Sequence, residues 1–252
     1  MTASIPEILA PRLLPLDLDH RLRLVREFIP GRIVFTTSFG IEDQFVTHSI
    51  FTQGLDIDVV TIDTGRLFPE TYELWEDTEA RYARRIRAAY PQAEPLEKLV
   101  EEQGVNGFYK SVEARKACCH VRKVEPLGRL LQGVSGWITG LRADQSAARA
   151  DVPMIEFDAS HRTIKINPVL DYSREAIVAA TEELSIPVNK LHAKGFLSIG
   201  CAPCTRAIEP GEDERAGRWW WEQDNKKECG LHVGEDGVLR RGPAPKEPEA
   251  FQ

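Results

Sequence analysis

The sequence predicts an α/β fold, a mostly parallel sheet with helices on both faces. Three observations carry this. Arg32 to Thr37 and Asp58 to Ile62 are short β-branched runs with the length and composition of buried strands. Each ends in a turn cluster, Ser38-Phe39-Gly40 and Asp63-Thr64-Gly65. Each turn then opens a helical stretch, and strand–loop–helix repeated in this way is the pattern of parallel pairing.

Taken in order, residues 1–30 read as an N-terminal helical segment, with Leu22, Val25 and Phe28 on one side and Pro30 closing it. After the first strand, Glu42 to Gln53 can form a helix. After the second, Pro69 occupies the first position of a long helix running to about Tyr90, where its missing N–H costs little. Glu113 to Arg129 reads as helix. Trp137 to Thr139, Met154 to Phe157 and Ile164 to Ile166 are short strand candidates. Ser173 is the expected N-cap of a helix ending near Leu184, before Pro187. Beyond Cys204 the pattern is polar and irregular apart from Trp219-Trp220-Trp221, and the tail from Gly237 is expected to be poorly ordered. No internal repeat is present. The expected division is residues 1–30 as the helical segment, 31–210 as a nucleotide-binding catalytic domain, and 211–252 as a mobile C-terminal segment.

Composition narrows the class. At 252 residues and 42% hydrophobic, the chain can bury one α/β core, with or without a tail. A net charge of −7 argues against a general nucleic-acid surface. Met1 to Ala10 lacks the basic stretch and apolar run of a signal peptide, and no apolar run reaches membrane-spanning length. The expectation is a cytoplasmic protein with no membrane or nucleic-acid partner; homo-oligomerisation is left open. Five cysteines, an odd number, suggest metal binding or catalysis in a reducing compartment.

Two loops are candidate ligand contacts, because open parallel sheets bind ligands beyond the carboxyl ends of their strands. Ser38-Phe39-Gly40-Ile41-Glu42-Asp43 offers hydroxyl and backbone N–H donors at a helix start. It lacks the Gly-Lys-Ser/Thr ending of a Walker loop, and by itself an ordinary strand-to-helix turn explains it. In Asp63-Thr64-Gly65-Arg66-Leu67, Gly65 permits close ligand approach and Arg66 brings a fixed cation suited to phosphate. Together the two loops point to a nucleotide site.

The cysteines are sharper. Cys201-Ala202-Pro203-Cys204 suits zinc, an iron–sulfur cluster or a redox pair. Cys118-Cys119 is a tandem pair in a helix, where adjacent side chains diverge and do not readily form one disulfide. With the C-x-x-C the tally is four thiols, the number a [4Fe–4S] cluster needs; four-thiolate zinc is the rival from spacing alone. Arg115, Lys116, Arg122 and Lys123 surround the tandem pair and can offset a cluster's negative charge. Cys229 stands apart, between Lys226-Lys227 and His232, cations that favour a thiolate. Arg215 and Arg218 can meet a phosphate or sulfate bidentately. The three tryptophans read as packing that orders their segment.

Six motifs, in order, resemble those of the assimilatory adenylyl-sulfate reductases, the cluster-containing branch of the sulfonucleotide reductase family. They are Ser38 to Asp43, Asp63 to Leu67, Lys116 to Cys119, Ile138 to Arg142, Cys201 to Arg206 and Glu228 to His232. The resemblance covers roughly residues 30 to 235. It implies an adenine nucleotide α-hydrolase-like fold and thioredoxin-dependent reduction of adenosine 5′-phosphosulfate through an S-sulfonated Cys229. It further implies a [4Fe–4S] cluster on Cys118, Cys119, Cys201 and Cys204. Cationic contacts to the phosphosulfate fall on Lys123, Arg142, Arg215, Arg218 and His232. Ser38, Phe39, Gly40, Asp43, Asp63, Gly65, Arg66, Leu67 and Gly140 would hold the nucleotide. Phe196 stands where the family pattern leads us to expect Tyr. The short tail after His232 implies a separate reductant. The alternative substrate is the 3′-phosphorylated nucleotide. Two other classes compete. One is an ATP pyrophosphatase-type enzyme on the same fold, whose phosphate loop this first loop does not match. The other is a four-cysteine zinc module.

Overall fold

The computed structural model describes residues 3–146 and 149–222. The expected N-terminal helical segment is two helices, α1 (Ile5–Leu13) and α2 (Leu18–Phe28), separated at Asp17, whose side chain caps α2 by accepting from the His20 N–H. Leu22 and Val25 are buried as the pattern predicts, and Phe28 is half-buried. Strand β1 (Ile33–Thr37) leads into α3 (Ile41–Thr52), and β2 (Asp58–Ile62) into α4 (Pro69–Tyr82) with Pro69 at its first turn.

The expected helix to Tyr90 stops at Tyr82. Ala83 takes a left-handed conformation (φ 50°), and the chain turns into β3 (Arg87–Ala89). A further helix, α5 (Ala93–Gln103), comes next. The basic stretch is one continuous helix in three parts: α6 (Val112–Cys119), a π-helical turn at His120–Val124, and α7 (Glu125–Leu130). Then come β4 (Gly136–Ile138), β5 (Ile155–Asp158), β6 (Thr163–Ile166) and α8 (Arg174–Glu183), which Ser173 caps as expected.

The six strands of the described residues lie in the order β3-β2-β1-β4-β6-β5. All neighbours are parallel except β5 and β6. Alternation along β1 and β2 supplies two cores. Ile33, Phe35 and Val59 face a large cluster with α1, α2, α3 and α8. Val34 and Val60 face a second cluster with Leu127, Leu130 and Trp137. The sheet is thus covered on both faces. Strand order reverses at β1, between β2 and β4, which opens a crevice beyond the carboxyl ends of these strands.

Candidate active site

A pocket fills that crevice. Its floor is Thr36, Thr37, Thr61, Ile62, Trp137, Thr139 and Gly140, from the ends of β1, β2 and β4. Leu197 to Gly200 and Arg215 also line it, and Lys123, Arg218 and Trp219 lie on the side of the cysteines.

The loop after β1 enters the pocket by a strained turn. Phe39 takes a left-handed backbone (φ 60°), which turns its ring into the core against Trp75, centroids 5.6 Å apart. That reversal leaves Ser38 at the rim and starts α3 at Gly40, which has no side-chain cap bond. Asp43 closes the turn. Its Oδ2 accepts from the Ser38 N–H (2.6 Å) and the Ser38 hydroxyl (2.7 Å). Burial nevertheless pushes its carboxyl up to about 6, helped by neighbouring Glu42 and opposed by the Ser38 donors. Gly140 lies against the Asp43 carboxylate so closely that a Cβ there would collide with it.

The loop after β2 faces two ways. Thr64 and Leu67 line the pocket, whereas Asp63, Gly65 and Arg66 are not among its lining residues. Asp63 accepts from the Gly65 N–H (2.8 Å) and the Tyr72 hydroxyl (2.8 Å). Gly65 has φ 69°, the left-handed backbone its residue type allows. Arg66 turns away and donates to the Val105 carbonyl (3.0 Å) and Asn106 Oδ1 (2.7 Å). The loop is instead laced to the cysteines. The Thr64 hydroxyl lies 3.2 Å from Cys201 Sγ, the Ala202 N–H donates to the Arg66 carbonyl (2.8 Å), and Arg122 Nη1 donates to the Thr64 carbonyl (2.7 Å).

Cys118, Cys201 and Cys204 pack in one apolar group with Phe108, Trp219 and Trp221. Cys119 is buried beside them, within electrostatic reach of Cys204 and Arg115. The two thiols of the C-x-x-C are driven apart in acidity. Burial would raise Cys201, but Lys123, the Thr64 hydroxyl, Arg218 and Arg122 outweigh it and hold the thiol below its ordinary value. Cys204 is pushed up to about 12 by burial and by the adjacent Cys201 charge. Burial also raises Cys118. Among the described residues no three His, Cys, Asp or Glu side chains converge as they would on a single ion.

Arg142 is fully buried, outside the pocket lining, and its guanidinium is taken by three carboxylates. Nε donates to Glu42 Oε1 (2.8 Å), Nη2 to Glu214 Oε2 (2.6 Å), and Nη1 pairs with Asp144. Arg218 is buried with its guanidinium 4.7 Å from the Trp219 ring centre, in space that only Gly200 leaves open. Phe196 packs edge-on to Phe68, centroids 5.6 Å apart, so the position expected to be Tyr contributes an apolar contact.

The structure therefore brings Ser38, Gly40, Asp43, Leu67, Lys123, Gly140, Arg215 and Arg218 to one pocket, with the four cysteines beside it. Cys229 and His232 lie outside the described residues. Sequence reasoning did not single out Thr64, Glu214 or the buried pair Arg115–Glu222 (2.8 Å). For Thr64 the only signal was its place inside the loop motif. The pairing partners are 40 to 107 residues apart and carried none.

These features define a class: a parallel-sheet nucleotide-type fold with an anion-receptive pocket at its switch point and a cysteine group against it. Comparison with known proteins gives the family. Residues 32–207 match the family described as phosphoadenosine phosphosulfate reductase domain, and the chain belongs to that family. It is 56% identical over 232 residues to the adenosine 5′-phosphosulfate reductase of Agrobacterium fabrum, covering 92% of this chain and 87% of the relative. It is 50% identical over 218 residues to that of Allochromatium vinosum, covering 86% and 82%. Among solved structures, the phosphoadenylyl-sulfate reductase of Candida auris in phosphate complex superposes with a TM-score of 0.69 at 26% identity, over 82% of this chain and 99% of the other. Yeast FAD synthetase in complex with FAD (TM-score 0.51, 15% identity, 82% of this chain and 70% of the other) shares the fold alone. The fold is adenine nucleotide α-hydrolase-like, as the motifs implied.

Proposed function

We propose that this chain reduces adenosine 5′-phosphosulfate to sulfite and AMP, with thioredoxin as electron donor, in the cytoplasm. The observation that carries the reading is the pocket at the switch point, which is lined by Lys123, Arg215 and Arg218 and lies beside the cysteine group. The relatives' names support the substrate. A nucleotide seated on Ser38, Gly40 and Gly140 would direct its anionic end toward those cations.

In this reading the Cys229 thiolate attacks the sulfate sulfur. A sulfur–sulfur bond forms, the S–O bond to AMP breaks, and the electron pair leaves on the AMP phosphate oxygen. The cations stabilise the charge that grows there. One thiol of thioredoxin then attacks the Cys229 sulfur and releases sulfite. The second thiol resolves the mixed disulfide, so oxidation of the thioredoxin dithiol supplies both electrons. Cys118, Cys119, Cys201 and Cys204 would hold a [4Fe–4S] cluster. Their proximity and the cations around Cys201, which offset the charge of a thiolate-bound group, support that reading. When bound, such a group supplies a fixed charge that orients the neighbouring cations.

The test is a single-turnover experiment. Anaerobic protein mixed with substrate but no reductant should release about one AMP per chain and gain one sulfonate on the Cys229 peptide, seen by mass spectrometry. Cys229→Ser should abolish turnover while keeping the visible spectrum and AMP binding; normal turnover would sink the mechanism. Iron analysis should find about four irons per chain, and Cys201→Ser should lose them together with activity. Full activity in an iron-free preparation would refute the cluster. A higher kcat/KM for the 3′-phosphorylated nucleotide would refute the substrate.

A further inference from the structure

Three carboxylates, Glu42, Asp43 and Glu214, line a pocket read as built for an anion, and Glu214 is the one beside Arg215. Its charge is already spent. Oε2 accepts from Arg142 Nη2 (2.6 Å), and Oε1 accepts from Arg174 Nη1 at the start of α8 (3.2 Å). Arg142 in turn is held by Glu42, at the start of α3. Glu214 therefore ties the turn that carries Arg215 and Arg218 to Arg142 and Arg174, two cations outside the pocket lining.

That turn needs such a tie. Residues 209–217 contain no helix or strand. One side of the turn is fixed to the C-x-x-C loop. Thr205 bridges Arg218, the Arg206 N–H donates to the Gly217 carbonyl (3.0 Å), and Arg206 pairs with Glu212 (2.7 Å). Glu214 supplies two side-chain anchors on the other side. A loop held at both ends keeps its guanidinium groups in place before a ligand arrives, and this lowers the ordering cost of binding.

We propose that Glu214 is a positioning residue. It clamps the Arg215–Arg218 turn through Arg142 and Arg174, and so sets the affinity for the distal anionic group of an adenine nucleotide. The proposal rests on the nucleotide reading above. It differs from a general structural role, because it concerns the anionic end of the ligand and leaves the nucleoside contacts alone.

The test is calorimetric titration of the whole chain with adenosine, AMP and ADP, whose second phosphate stands where the sulfate would be. In Glu214→Gln, ADP affinity should fall about tenfold or more, since charge-assisted bonds are replaced by one neutral acceptor. AMP should lose less, and adenosine should change less than about twofold by the same reasoning. Arg174→Met removes one anchor and keeps Glu214 on Arg142; it should show the same order of losses at smaller size, and it decides the matter if Glu214→Gln does not fold. Equal loss for all three ligands, no loss, or tighter ADP binding would each overturn the proposal. Wild-type protein that bound none of the three would overturn the nucleotide reading and the proposal with it. Wild-type binding with unaltered variants would overturn the proposal alone.

Discussion

The loop after β1 and the loop after β2 start from paired positions, Thr37 opposite Thr61, on adjacent parallel strands. Their motifs look equally suited to a ligand. The first keeps Ser38, Gly40 and Asp43 at the pocket. The second keeps Thr64 and Leu67 there and spends Asp63, Gly65 and Arg66 on its own turn and on the segment around Asn106. It serves as the partition between pocket and cysteines, held by Thr64 and Arg122. A glycine and a charge after a strand thus do not by themselves say which side of a loop meets a ligand. The side chains packed behind the loop decide it.

The contrast between the loops can be broken at its strongest joint. Arg122→Met strands the buried Thr64 carbonyl and removes a cation from beside Cys118 and Cys201. Stability should fall by about 3 kcal/mol in urea unfolding and iron content should drop. AMP affinity should hold within about twofold if the partition belongs to the cysteine side. An equal loss of AMP binding would erase the distinction between the loops.

On the first loop, the raised pKa of Asp43 makes a pH test. Its folded value, about 6, lies above the ordinary 3.8, so the fold favours the protonated carboxyl. The cost of ionising it grows as pH rises from about 4 to about 6 and is constant above. Asp43→Asn should gain roughly 3 kcal/mol on wild type across that window and nothing further toward pH 8. A difference independent of pH would mean the carboxyl is not held in that state.

Two smaller changes sharpen the contrast. Gly140→Ala drives a methyl into the Asp43 carboxylate and should weaken AMP binding about tenfold while leaving the visible spectrum intact. Thr64→Val keeps the shape and loses the hydroxyl beside Cys201, at a cost of about 1 kcal/mol, read as faster loss of iron to a chelator. If Gly140→Ala altered the spectrum and Thr64→Val altered AMP affinity, the assignment of the two loops would be reversed.

Much of the scaffold is legible because it is local. Buried strands declare themselves by β-branched runs, and β2 lies over the same residues as its run, Asp58–Ile62. Caps are equally local, as at Ser173. The end of α4 is hidden because Ala83 is no usual terminator; its left-handed turn is held by neighbouring contacts such as the Ile86 N–H donating to Glu79. Strand β3 is three residues long and has no pattern to read. Helix α5 carries a short apolar stripe, Leu96, Leu99 and Val100, of which Leu99 alone is buried.

Residue type and spacing by themselves determined the fold class, whereas the first loop, the four thiols and Lys123 became candidates only when the separate motifs were read together. Both readings rest on motifs and their positions along the chain. Only the tertiary structure decided which charges are spent on each other. Arg66 and Arg142 are cations in promising motifs, but Asn106 takes one, and Glu42, Asp144 and Glu214 take the other. A buried guanidinium must find carboxylates wherever the fold supplies them, and Glu214 reaches Arg142 across 72 residues of chain. Pairing over that distance arises from how the sheet, α8 and the Arg215–Arg218 turn pack together, which no local pattern encodes.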